Sequence, residues 1–376
     1  MLAPPSPDEE EDARMTRLTR RRFLGGAAAG VSALSLPARA LAAPSEFVWR
    51  LGPNLMRGLR RWRLHGASSY GTTNPGGTES IADLVTLAVG ARLNTVRIVN
   101  FLDEGSPSNP SDPSVAPFDP AAWRRVDALL AALRAAGMNA ILDLSTYRNL
   151  LQNRLIATGS ATTPYSVDWG PFVRFVTTRR NTVTNRLYVL DPTIAIVAFA
   201  GEPNPPNSGE PLKPTTDELT SFYRRTLSQW KRTDPLHLLS NGGFIHLDWE
   251  ERFGNPNGSG IDWRAIFALP ANDVPSIHTY PAVPSVADDF QSPKVAAYCA
   301  SIRKPWLTEE FGLEQSVGDT VRANWFADVY GIQSTRRSSG AAFWNLGAEL
   351  PSSGASFDVN PGTPLTWNVV RSNTPG

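Results

Sequence analysis

Residues 119–145 read D-P-A-A-W-R-R-V-D-A-L-L-A-A-L-R-A-A-G-M-N-A-I-L-D-L-S. They contain one helix and one strand, each with its own start and stop signals. Asp119 supplies an N-cap and Pro120 the first helical position, after which Trp123, Val126, Leu129, Leu130 and Leu133 recur on one helical face. Gly137 stops the helix, and 139–145 is a short apolar run of strand length. The alternation continues in both directions. Strand-like runs occur at 62–68, 91–100, 194–200, 236–240, 275–280, 306–308 and 341–346, eight in all with 139–145. Thr215 and Glu218 form a capping box ahead of the one-sided row Leu219, Phe222, Tyr223, Leu227 and Trp230. Strand and helix in steady alternation require a parallel sheet. Eight units at roughly 42 residues each predict an α/β chain folded as one closed (β/α)8 TIM barrel over 44–376. The competing fold, an open doubly wound sheet, is weakened because no Gly-rich phosphate loop follows an early strand.

Composition narrows the function. The 376 residues carry 36 Lys+Arg against 35 Asp+Glu, so no basic field exists to hold nucleic acid. One cysteine, Cys299, excludes an internal disulfide framework and any multi-cysteine metal site. Residues 1–43 read as an address. Thr19-Arg20-Arg21-Arg22-Phe23-Leu24 has the twin-arginine export pattern, a Gly/Ala-rich apolar run follows to Leu36, and Ala38-Arg39-Ala40 and Ala40-Leu41-Ala42 offer small residues for cleavage. Met15 is a possible alternative start, because the acidic stretch Asp8–Asp12 precedes it. Removing 1–43 takes away six Arg and five acids and leaves thirty charges of each sign. The expected partner is therefore the twin-arginine export machinery, and the expected location is extracellular or in the cell envelope. No stable membrane span is expected after processing.

In a barrel, chemistry belongs at the C-terminal strand ends. Two of them carry glutamates beside chain-breaking residues: Ala200-Gly201-Glu202-Pro203-Asn204 after the fourth strand, and Thr308-Glu309-Glu310-Phe311-Gly312 after the seventh. Each glutamate alone is readable as a loop carboxylate capping the next helix. As a pair facing across a barrel mouth, they are the equipment for acid-assisted nucleophilic displacement at a sugar carbon. One carboxyl donates a proton to the leaving oxygen, and the other attacks. Arg97, inside an apolar strand, is poorly explained as a residue with no function. His278 and Tyr280, two apart, share one strand face. Trp344 ends the eighth strand, where its ring is available to stack on a pyranose or simply to pack.

These residues also carry a family resemblance. Over about 60–370 the chain resembles glycoside hydrolase family 5, and within it the endo-β-1,4-mannanase branch. The longest match is 175–203, F-V-T-T-R-R-N-T-V-T-N-R-L-Y-V-L-D-P-T-I-A-I-V-A-F-A-G-E-P, with its R-x-N-T-x-T run and terminal E-P. The resemblance implies a retaining double displacement on β-1,4-linked sugars, with Glu202 as acid/base and Glu310 as nucleophile. Glu309 is the poorer candidate, since the family's nucleophile directly precedes the aromatic-Gly pair. The resemblance further implies that Arg97 holds the nucleophile ionised, Tyr280 hydrogen-bonds it, His278 borders the sugar and Trp344 is the sugar platform. No metal or other cofactor is implied.

Three positions depart from the family pattern. Gly201 stands where the family has the Asn whose amide meets the sugar 2-hydroxyl, Val197-Ala198-Phe199 replaces W-E-L, and Ser145 stands where many relatives carry His. Three readings follow: a nearby amide, Asn204 or Asn241, substitutes at the 2-hydroxyl; the sugar preference differs from mannan; or activity is degraded. The expected substrate is mannan or glucomannan. The rival readings are a β-1,4-glucanase and a catalytically weak carbohydrate-binding barrel.

Overall fold

The computed structural model describes residues 46–102, 120–245, 247, 258–280, 291–348 and 356–374. The export segment expected at 1–43 and the Asp119 cap lie outside the described residues. Among the described residues no helix is long and apolar enough to cross a membrane.

The chain enters through a small antiparallel sheet, β1 (Val48–Leu51), β2 (Asn54–Arg57) and β3 (Arg60–Arg61). Then come the eight strands expected from the sequence: β4 (Leu64–Ser68), β5 (Thr95–Ile98), β6 (Asn139–Asp143), β7 (Ile194–Ala198), β8 (Leu238–Ser240), β9 (Ser276–Thr279), β10 (Leu307–Phe311) and β11 (Gly340–Phe343). They form one parallel sheet in the order β8-β7-β6-β5-β4-β11-β10-β9. The seam between β8 and β9 has little ladder of its own. There the Asn241 side chain stands in for backbone, accepting from Ser276 N–H at 2.9 Å and donating to Ser276 C=O at 2.9 Å. With Phe244 N–H on Ser276 C=O at 3.1 Å and His278 N–H on Phe244 C=O at 2.9 Å, the barrel closes.

The helices between strands are α1 (Tyr70–Thr73), α2 (Ile81–Gly90), α3 (Pro120–Ala135), α4 (Ser145–Ala157), α5 (Gly170–Thr178), α6 (Thr216–Thr233), α7 (Trp263–Ala268), α8 (Ser292–Ser301), α9 (Asp319–Thr335) and α10 (Pro364–Ser372). The capping box at Thr215 forms in both directions, which fixes where α6 begins. Strand alternation divides the core. Ile141, Ile196, Leu238, Leu307 and Ala342 fill the barrel, and Val48 and Leu55 of the entry sheet plug its N-terminal end. Val96, Ile98, Leu142 and Val197 face outward to the helices. Among the described residues seven of ten Trp are buried, so most of the Trp surplus is packing.

The R-x-N-T-x-T run is architectural. Asp127 of α3 is fully buried and accepts from Arg179 (3.2 and 2.5 Å), Tyr188 Oη (2.6 Å), Thr182 N–H (3.1 Å) and Thr182 Oγ1 (2.8 Å). The Arg179 guanidinium lies 5.4 Å from the Trp123 ring centre. The run therefore pins the loop before β7 to α3 and so sets where Glu202 emerges. Asp127→Ala leaves the half-buried Arg179 and the buried Tyr188 hydroxyl without their shared acceptor and is expected to lower stability by about 3 kcal/mol. Urea unfolding checks this, and a loss under about 1 kcal/mol would show that the network is not an anchor.

Candidate active site

Arg97 projects from β5 into the C-terminal mouth of the barrel, while Val96 and Ile98 on either side face the helices. Its guanidinium is only 3% exposed and meets three carboxylates: Glu310 Oε2 directly, Asp143 Oδ2 at 2.5 Å and Glu309 Oε1 at 3.8 Å. Burial opposes the arginine's charge, but Asp143, Glu310 and Glu309 outweigh it and hold the group protonated.

Two consecutive glutamates reach one arginine because β10 is bulged. Its register on β9 runs Leu307–Ser276 and Thr308–Ile277, then Glu310–His278 and Phe311–Thr279, so Glu309 is the extra residue. The seventh strand therefore extends through Phe311, past the Thr308 end expected from sequence, and Glu310 lies within it. Glu309 is wholly buried and accepts from Ser240 Oγ at 2.8 Å, and burial pushes its carboxyl toward the neutral form. Glu310 faces the mouth, where Tyr280 Oη donates to its other oxygen at 2.5 Å. Tyr280 is in turn steadied edge-on by Phe357 at 5.7 Å.

Glu202 follows β7 with its side chain 41% exposed. His278 Nδ1 lies 2.7 Å from Glu202 Oε1 and 3.8 Å from Glu310 Oε2. Burial would raise the Glu202 carboxyl, but the hydrogen bond and charge of His278, followed by Arg148 and Arg97, bring it below the usual range. Burial likewise works against the His278 cation, and the charges of Glu310 and Glu202 raise it. Each member of the Glu202–His278 pair thus favours the charged form of the other. One donor oxygen of Glu202 and one of Glu310 lie within 4.8 Å of each other.

The six residues singled out from sequence converge on this mouth. His278 is only 2% exposed, with its Nδ1 edge on Glu202; its Nε2 edge faces Gly243, where a Cβ would fall 1.9 Å from it. Trp344 is half-buried after β11, its ring 5.2 Å from that of Tyr70.

Gly201 has a steric cause. A Cβ there would lie 2.0 Å from the Gly242 carbonyl oxygen, so no asparagine fits without moving the chain after β8. The two amides expected to substitute are otherwise engaged: Asn241 closes the barrel seam, and Asn204 Nδ2 donates to Pro211 C=O at 3.0 Å. Sequence reasoning also missed Asp143, which ends β6, and Arg148, one turn into α4. Asp143 lay inside the quoted strand and signals itself as an acid closing an apolar run. Arg148 carries no motif.

No family model matches the chain. Among curated proteins it is similar to mannan endo-1,4-beta-mannosidase 7 of Oryza sativa subsp. japonica, 29% identical over 258 residues, covering 62% of this chain and 66% of that protein. Mannan endo-1,4-beta-mannosidase 8 of the same plant is 37% identical over 116 residues, 29% of this chain and 30% of that protein. The chain therefore spans less than two thirds of the length of these relatives. Among solved structures, the endo-1,4-beta-mannanase of Rhizomucor miehei superposes with a TM-score of 0.70 at 21% identity, covering 87% of this chain and 99% of that one. The endo-beta-1,4-mannanase of Thermotoga petrophila does so at 0.66 and 19%, covering 83% and 76%. The fold is the (β/α)8 barrel of these mannanases, and the chain resembles the mannanase branch of glycoside hydrolase family 5.

Proposed function

We propose that the chain is a retaining β-glycosidase acting on β-1,4-linked mannan or glucomannan. The observation that carries this reading is the spacing of Glu202 and Glu310, whose nearest donor oxygens lie within 4.8 Å. Retaining enzymes hold their two carboxyl groups about 5–5.5 Å apart, whereas inverting ones leave roughly 6.5–9.5 Å for a water. Glu310, clamped by Arg97 and Tyr280, attacks the sugar carbon as a carboxylate. Glu202 donates to the departing oxygen and later takes a proton from water. Its proton comes from the pair it forms with His278: a sugar closing over Glu202 strips its solvent, which raises a carboxyl and draws that proton across. Trp344 then offers its face to the pyranose ring.

Similarity to plant mannan endo-1,4-beta-mannosidases favours mannan over glucan. Assays for new reducing ends on mannan, glucomannan, carboxymethylcellulose and xylan test the choice. Release from the first two supports the proposal, and release from carboxymethylcellulose alone makes the enzyme a β-1,4-glucanase. Gly201 favours a second reading, a barrel that binds oligosaccharides with little turnover, because no amide meets the 2-hydroxyl from that position. Calorimetric binding without product over a long incubation would support it. The twin-arginine pattern at 19–24 supports export to the envelope or beyond.

Glu202→Ala is expected to lose about 10²–10⁴-fold on polysaccharide. It should keep the first chemical step on a dinitrophenyl glycoside, whose leaving group needs no proton. Equal losses on both substrates would remove Glu202 from the acid role.

A further inference from the structure

The segment that carries Glu202 is held almost entirely through its backbone. Ala200 C=O accepts from Tyr223 Oη at 2.7 Å, Gly201 N–H donates to Ser145 Oγ at 2.7 Å and Glu202 N–H donates to Gly243 C=O at 2.8 Å. Asn204 N–H donates to Tyr165 Oη at 3.0 Å. The two remaining carbonyls, of Gly201 and Glu202, accept from one side chain: Arg148 Nη2 at 2.9 Å and Nη1 at 3.0 Å.

Arg148 is 8% exposed, and among the described residues it forms no ion pair. A buried cation without a carboxylate needs compensation. Here it comes from two carbonyls and from the Glu202 charge that the guanidinium faces. Ala200 and Glu202 both have left-handed backbone, with φ of +47° and +48°. Side-chain-bearing residues keep that conformation only where their surroundings over-determine it. A planar two-pronged donor spanning consecutive carbonyls does so, and a lysine's single ammonium cannot.

We propose that Arg148 is a positioning residue for Glu202: its two-pronged fork on the Gly201 and Glu202 carbonyls fixes the direction in which the Glu202 carboxyl leaves the backbone. The proposal rests on the reading of Glu202 as acid/base. Glu202 is faced by His278 from β9, Arg97 from β5, Glu310 from β10 and Arg148 from α4. Arg148 is the one cation among them that touches the Glu202 backbone.

The test compares Arg148→Met and Arg148→Lys in the full chain. Arg148→Met is expected to lose about tenfold or more in kcat/KM on mannan. On a 2,4-dinitrophenyl β-manno-oligosaccharide its kcat/KM should stay within about threefold, with azide restoring turnover. In protein carrying carboxyl-¹³C glutamate, the Glu202 titration midpoint should rise in Arg148→Met. Arg148→Lys should return that midpoint toward the wild-type value while keeping the leaving-group-dependent loss, separating charge from geometry. Equal losses on both substrates with an unmoved midpoint would overturn the proposal and leave Arg148 a packing residue. If the wild-type chain hydrolyses no glycoside, the acid/base reading falls, and the titration still decides whether Arg148 governs Glu202. Should Arg148→Met fail to fold, the lysine variant alone decides: a leaving-group-dependent loss supports the proposal, and wild-type kinetics overturn it.

Discussion

Glu310→Ala is expected to reduce mannan hydrolysis by at least ~10⁴-fold, the scale seen when a nucleophile is removed, with stability nearly unchanged. Glu310 is one of three carboxylates around Arg97, and Asp143 at 2.5 Å keeps that arginine paired after the truncation. What disappears is the one carboxylate of the cluster that faces the mouth. Azide supplied to this variant would enter the space left by the side chain and attack the sugar carbon from the same face. That is one displacement, so the product should be the α-glycosyl azide. In Glu202→Ala, azide instead intercepts the glycosyl-enzyme, and two displacements return the β-product. NMR of the two azides therefore assigns both roles independently of rates. Glu309→Ala is the control: Glu309 is sealed beneath Glu310 on Ser240, and its loss should leave the stereochemistry of any azide product untouched. A dead Glu309→Ala beside an active Glu310→Ala would exchange the assignments.

The barrel was legible because its eight strands are short apolar runs between helices, and the Thr215–Glu218 capping box occurs where the structure uses it. The entry sheet was not. Its strands are two to four residues long and only Val48 and Leu55 in them are buried, so Val48–Leu51 and Asn54–Arg57 show no periodic apolar face. At the site, Glu202, Glu310, Arg97 and Tyr280 were readable as polar groups at strand ends or within apolar strands. The inward turn of Glu309 was hidden, because a bulge breaks the period-two rule on which such reading depends. Arg148 was hidden for a different reason. Helix α4 begins inside the mouth and buries Ser145, Thr146, Tyr147 and Arg148 in succession, so no amphipathic stripe marks which side matters. The same geometry accounts for Gly201: the chain after β8 occupies the space of a Cβ there, a constraint from residues forty positions away.

Arg97→Met should bring the largest combined loss of stability and activity. In the wild-type chain the guanidinium serves Glu310, Asp143, Glu309 and, at 3.3 Å, Ser68 Oγ. Methionine preserves much of the volume and removes the one arginine that pairs with this group of acids among the described residues. Breaking a buried pair by deleting one partner costs about 3–5 kcal/mol. Activity should fall as well, because three crowded carboxylates cannot all remain ionised, and a protonated Glu310 does not attack. The acid limb of the pH–rate profile should accordingly move to higher pH. Arg97→Lys should recover part of the stability, since one ammonium can neutralise one carboxylate. It should still lose about 10²–10³-fold in kcat, because a point charge cannot hold Glu310 and Asp143 in fixed directions together. The pH dependence of stability supplies a signed test. In Arg97→Met the clustered acids bind protons more tightly folded than unfolded, so the folded state carries more protons and stability falls as pH rises through the cluster's titration. Urea unfolding at pH 5 and pH 8 should therefore show a larger deficit relative to wild type at pH 8. A deficit that is equal at both pH values, or larger at pH 5, would mean that Arg97 does not offset the charge of this cluster.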